Sequence, residues 1–262
     1  MFQPVVPISG LAGWRFLQRT YDTQFDTFSK GATLQRDAEY FRENIGQVRT
    51  AEDLTSDRRL MTVALSAFGL QDDVDNRYFI RKVLEEGVTN EDALANRFSD
   101  PRYRELSEAF GFGPGEYLKT GEVDFAEAII TRHLTNSFEV AAGEQDASMR
   151  VALYAQRELA ELAGGDMSND AKWFTVMGDP PMRQLFETAF NLPAALGQID
   201  IDQQLQVFKD AAKSVLGSDD LSLFTAPEAR DDLITKFVVR DQIRSFSAGM
   251  SGTSIALTLL QG

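Results

Sequence analysis

The sequence predicts an all-α fold, a multi-helix bundle with two related helical repeats. Three observations carry that prediction. Apolar residues recur at three- and four-residue steps along most of the chain, with almost no sustained period-two alternation. Cap residues and glycines stand at the ends of those periodic runs, where unpaired amides and left-handed backbone need them. Finally, two stretches resemble each other. Asp57–Leu70 (DRRLMTVALSAFGL) and Asp179–Leu192 (DPPMRQLFETAFNL) share Asp57/Asp179, Ala67/Ala189, Phe68/Phe190 and Leu70/Leu192 at one offset of 122 (67 to 189). Asn90–Pro101 (NEDALANRFSDP) echoes Ser218–Pro227 (SDDLSLFTAP), with the prolines offset by 126 (101 to 227). A repeat of that length is a packing unit of several helices.

The elements follow in order. Residues 1–10 contain Pro4 and Pro7, which lack amide hydrogens and restrict their predecessors, so this stretch is extended. Leu11–Ser29 is a helix whose Leu11, Trp14, Leu17, Tyr21, Phe25 and Phe28 form one stripe, and Gly31 stops it. A second helix covers 33–45 and ends at Gly46. Thr50 and Asp53 form a capping box with Asp in place of Glu. Ser56 is expected to cap a helix over 57–68 closed by Gly69, Asn76 one over 77–86 closed by Gly87, and Asn90 a short helix to Phe98. Asp100-Pro101 starts the next, because proline costs nothing at the first helical position. GFGPG at 111–115 is the clearest break.

A helical stretch over 123–163, broken near Gly143, leads to Gly164-Gly165. Ser168 caps 169–177, and Asp179-Pro180-Pro181 repeats the cap-and-proline start. Helices over 200–216, 219–224 and 227–248 complete the second unit, the last running inward through Leu233, Phe237, Val238 and Ile243. The tail 250–260 carries a strand-like alternation at Ile255, Leu257 and Leu259, but no partner strand exists for it, and a helix is expected. The resulting division is an N-terminal segment and helix (1–31), a first repeat (32–115), connecting helices (116–165), a second repeat (166–248) and a tail (249–262).

Bulk properties exclude several functions. The 262 residues carry 40 acids against 26 bases, a net charge of −14, so nucleic acid and anionic membrane surfaces are poor partners. The 19 phenylalanines, with no polar atom to satisfy, are read as core anchors. With no cysteine there is no disulfide, thiolate metal site or thiol nucleophile. No cleavable signal peptide is expected, and no apolar run approaches a membrane span.

Reactive constellations fare no better. His133 is the one histidine, and the residue three before it is Ile130, where a carboxylate-bridged metal bundle needs Glu. Asp73 and Asp75 begin like a calcium loop, but Tyr78 stands where glycine is needed and Leu84 where a bidentate Glu is needed. GFGPG lacks the lysine and the preceding strand of a phosphate cradle. No catalytic residue, cofactor or metal site is therefore expected. The candidate partner-docking residues are Arg58 and Arg59, whose guanidinium forks also suit helix ends within the chain, and the stripe Leu11, Trp14, Leu17, Tyr21, Phe25 and Phe28. The stripe docks a partner if exposed and is core if buried by Phe237 and Ile243; core is the expectation.

Three further runs, YFRENIGQVRTAEDLTSDRRLMTVALSAFGLQDDVDNRYFIRKVLEEG, NEDALANRFSDPRYRELSEAFGFG and AKWFTVMGDPPMRQLFETAFNLP with IDIDQQLQVFKDAAKSVLGS, resemble one alphaproteobacterial family. Its members are helical proteins of unknown function encoded among flagellar genes and sometimes labelled basal-body rod proteins. The resemblance covers residues from about Gly10 to Ile243 and supplies no catalytic residues. It implies a non-enzymatic structural or protein-interaction role at the bacterial flagellum, with protein partners, while charge and the lack of a long apolar run argue against nucleic acid and membrane insertion. The alternative is a cytoplasmic helical chaperone or regulator of a flagellar export substrate.

Overall fold

A computed structural model describes residues 2–260, with the side chains of all but Ala194 and residues 248–260. Met1, Gln261 and Gly262, which belong to the expected first segment and tail, lie outside it. Among the described residues there are thirteen α-helices and no strand. They are α1 (Leu11–Ser29), α2 (Ala32–Asn44), α3 (Ala51–Ser56), α4 (Arg58–Ala67), α5 (Arg77–Glu86), α6 (Leu94–Arg97), α7 (Pro101–Phe110), α8 (Phe125–Gln145), α9 (Ala147–Gly164), α10 (Asn169–Gly178), α11 (Pro180–Phe190), α12 (Ile201–Leu216) and α13 (Pro227–Leu260). Short 3₁₀ turns occupy Ile45–Gln47, Gln71–Asp73, Ala194–Gln198 and Leu221–Thr225.

The chain forms two compact units. Tyr21–Ala141, with the residues up to Pro4, makes the first; Val5–Thr20, with the residues from Ala142 on, makes the second. The segment 32–115 therefore lies in the first unit and 166–248 in the second, while 116–165 is divided between them. Both α1 and α8 contribute residues to each unit.

In the first unit, Phe41, Leu54, Leu60, Leu65, Ile80, Leu84, Leu106, Phe110 and Ile129 form a single buried cluster. Beside it, Tyr21, Phe25 and Phe28 present their rings edge-on to Phe138 at 5.2, 5.7 and 5.5 Å. Edge-to-face contact places positive ring edges on negative faces, which stabilises a phenylalanine-rich interior beyond area burial. In the second unit α9 packs on α11 and α13, and α11 on α13. Phe186 is the hub there, meeting Trp173, Phe190 and Phe224 at 5.2 to 5.9 Å.

Several helix ends depart from expectation for identifiable reasons. Ser56 is not a cap: it ends α3, and Asp57 caps α4 by accepting from the Arg59 and Leu60 amides. Asn76 stands at the start of α5, but its side chain donates to Asp73 at 2.7 Å. Asn90 instead folds its own turn, accepting from the Asp92 amide, and α6 starts only after Ala93. The break expected at Gly143 falls at Asp146, whose carboxylate caps α9 through the Ser148 amide and hydroxyl. Gly143 stays helical within α8, with the stem of Arg150 2.7 Å from where a Cβ would stand. The tail continues α13 as a helix to Leu260. Ile243, expected inward, is 59% exposed, whereas Leu233, Phe237 and Val238 are buried.

Candidate functional site

The stripe on α1 serves as interior. Trp14 and Leu17 are buried in the second unit and Phe28 in the first, while Leu11, Tyr21 and Phe25 are half-buried. A partner reaches Trp14, Leu17 or Phe28 only by opening a unit, so the docking alternative fails at those three positions. The two arginines are also engaged within the first unit. Arg58 pairs with Asp75 at 2.8 Å on an exposed surface. Arg59 lies 3.9 Å over the Tyr40 ring and donates to the Arg36 carbonyl and the Asp37 carboxylate.

The titratable groups singled out by sequence are tied into the scaffold as well. Tyr103 donates to Asp73 at 2.7 Å, and burial beside that carboxylate pushes its phenol up. Asp75 holds Arg58. The GFGPG connection is an anion cradle filled from within: the Glu116 carboxylate accepts from the amides of Val88, Thr89 and Gly113 and from the Thr89 hydroxyl. Gly87 and Gly113 permit this, since a Cβ on Gly113 would lie 2.5 Å from the Gly87 Cα. His133 is 6% exposed, and neither ring nitrogen has a hydrogen-bond partner. Burial lowers its pKa to about 4, with Asp37 opposing weakly, so at neutral pH it is an uncharged packed side chain. Among the described residues no group of three or more His, Asp or Glu is placed to hold a metal ion.

One open hollow of about 400 Å³ lies in the second unit at the start of α13, lined by Arg15, Pro227, Glu228, Asp231, Asp232 and Thr235. Three of its polar residues are paired with one another. Arg15 donates to both Asp231 oxygens at 2.9 and 3.0 Å and to Thr235 at 3.2 Å, and Gln18 reinforces Asp231.

Part of what the second unit leaves uncovered is apolar. Ile8 in the N-terminal segment, and Ile243 and 70%-exposed Phe246 on α13, face solvent. The segment and the helix meet where Gly10, at φ +73°, takes the Gln242 amide against its Cα and donates its own amide to Asp146. Periodicity missed this face because it read α13 as inward-facing throughout. The signal available was the absence of any charged residue from Ser245 to Gly262.

Fold and site together define a class: an all-α, two-unit protein whose sequence-predicted candidate residues are engaged within the scaffold and whose α13 carries exposed apolar residues. The chain belongs to the DUF1217 family of proteins of unknown function, whose model matches residues 67–229. It is also similar to protein AGR_C_984 from Agrobacterium tumefaciens, known from a crystal structure, with 27% identity and a TM-score of 0.74 over 92% of this chain and 99% of that one. None of the curated proteins matches it. No described helix is long and apolar enough to cross a membrane.

Proposed function

We propose that this protein is a non-enzymatic helical scaffold, built from two related repeats, that binds protein partners in the structure or assembly of the bacterial flagellum. The observation that carries the interaction reading is the exposure of Ile243 and Phe246, large apolar side chains three residues apart on one face of α13, in a chain of net charge −14. Large apolar side chains exposed side by side on a helix suit a contact surface. The buried, neutral, unpartnered His133 supports the non-enzymatic part, since an imidazole with no route to a substrate transfers no proton. The flagellar part rests on the resemblance of the long sequence runs to proteins encoded among flagellar genes. Acidity favours the second reading, a cytoplasmic chaperone or regulator of an export substrate, since a charged surface keeps a holdase soluble.

Fractionation of flagellated cells separates these readings. Recovery of the chain in purified hook–basal bodies is expected for a structural component. A purely soluble pool that co-purifies with one export substrate would replace it by the chaperone, and a soluble pool that captures no flagellar protein would remove both.

A further inference from the structure

From Ile243 onward α13 changes character. Before that point Leu233, Ile234, Phe237 and Val238 are buried in the second unit; from it on, Ile243 and Phe246 stand exposed while the helix continues to Leu260. In the sequence, Ile243, Phe246, Met250, Thr253, Leu257 and Leu260 follow one another at steps of three, four, three, four and three. That is the spacing of the a and d positions of a heptad, the register by which one helix seats against another along a shared seam. About five turns of helix, roughly 27 Å at 1.5 Å per residue, carry it.

The residues beside the seam decide what it takes. The flanking e and g positions are Ser247, Gly249, Ser254 and Ala256. In coiled coils these positions commonly hold Glu and Lys, which select one partner and repel others. Here they hold none, so nothing selects a differently charged helix. Small e and g residues also let two backbones come close. Two copies of a chain of net charge −14 can meet along this segment without like charges opposed, because Ser245–Gly262 holds no Asp, Glu, Lys or Arg. A two-fold pairing brings the same surface together from both sides and needs only that this surface complement itself.

We infer that the end of α13 is a self-association helix and that a second copy of this chain covers Ile243 and Phe246. This goes beyond binding of other proteins, and that reading stands if the chain proves monomeric. The seam is short and one of its six positions is Thr253, so association falls in the micromolar range.

Sedimentation equilibrium of the full chain, from about 1 to about 200 µM, tests it. The expected result is a monomer–dimer equilibrium that Ile243→Glu/Phe246→Glu weakens by about tenfold or more, since two carboxylates are then forced into the seam of each strand. Tyr117→Glu, at an exposed site in the first unit, leaves it unchanged. Both seam sites are exposed in the monomer, so the double variant keeps the circular dichroism of the parent. Should it not fold, Ile243→Ser/Phe246→Ser makes the same comparison. A monomer across the whole range, or a dimer that neither double variant weakens, would overturn the inference. So would a chain that stays monomeric alone yet binds another protein or lipid vesicles through Phe246.

Discussion

The helices α4 and α11 are built alike and placed differently. Each is capped by an aspartate, Asp57 or Asp179, that accepts from backbone amides of the first turn and from a tyrosine hydroxyl, that of Tyr40 or Tyr154. Each ends in a left-handed residue, Gly69 at φ +71° and Asn191 at φ +56°. The closing bonds match as well: the Leu70 and Leu192 amides reach the Leu65 and Glu187 carbonyls at 2.9 and 2.8 Å. An arginine from a later, proline-initiated helix then donates to a carbonyl at each end, Arg102 to that of Gly69 just past α4 and Arg240 to that of Ala189 in the last turn of α11. Burial separates them. Asp179 and Tyr154 are interior, whereas Asp57 and Tyr40 are half-exposed under Arg59. The same backbone device therefore carries a different energetic weight in each unit, because an unmade hydrogen bond costs most where water cannot replace it.

The largest expected effect follows directly. Asp179→Ala removes a cap and a buried hydrogen bond from Tyr154, for a loss of about 3 kcal/mol, whereas Asp57→Ala costs about 1 kcal/mol because water reaches Tyr40. Urea unfolding of the two variants measures this; equal losses would break the contrast.

Acid provides a second contrast, since only the first unit holds the histidine. The folded pKa of His133, about 4, lies below its ordinary value of 6.5, so folding disfavours its proton. The stability tied to its neutral form is complete above pH 6.5 and drains away as pH falls toward 4, for a total of about 3 kcal/mol. His133→Leu should flatten the loss of stability between pH 6.5 and 4 and leave no polar atom stranded. Hydrogen exchange in α8 read against pH checks it, and an unchanged slope would contradict the burial argument.

Smaller effects sharpen the comparison of helix ends. Gly69→Ala places a Cβ at positive φ, 3.3 Å from an Arg102 nitrogen, and should cost about 1 kcal/mol. Asn191→Gly should change stability by only a few tenths of a kcal/mol, because it relieves the left-handed strain while losing a 3.4 Å contact from Arg244. The smallest effect is at Asp241, where burial and the nearby Asp146 raise the carboxyl pKa. Its charge opposes folding above that raised value, so Asp241→Asn should be slightly more stable at neutral pH and lose that advantage in acid, as thermal unfolding at two pH values would show.

The helices were readable in the sequence because their signals are local. The Thr50–Asp53 box, Asp100-Pro101 and Asp179-Pro180 determine hydrogen bonds within a single turn, and all three form as expected. What was not readable depends on contacts far along the chain. Gly143 has the composition of a break but stays helical, packed against Arg150 from the next helix, and the break falls at the Asp146 cap. Ile243 has the spacing of a core residue and is exposed because the second unit's interior is already closed by Leu233, Phe237 and Val238. The stripe on α1 was readable as apolar, but not as supplying two separate interiors, with Trp14 and Leu17 in one and Phe28 in the other.

The claim that the molecule works through its surface, as a partner of flagellar proteins, is tested most directly by swimming. In a flagellated bacterium carrying the gene, deletion should abolish or cripple motility, and a copy bearing His133→Leu, which removes the one imidazole but no surface contact, should restore it. Normal swimming after deletion, or restoration by the parent but not by a folded His133→Leu chain, would contradict the account.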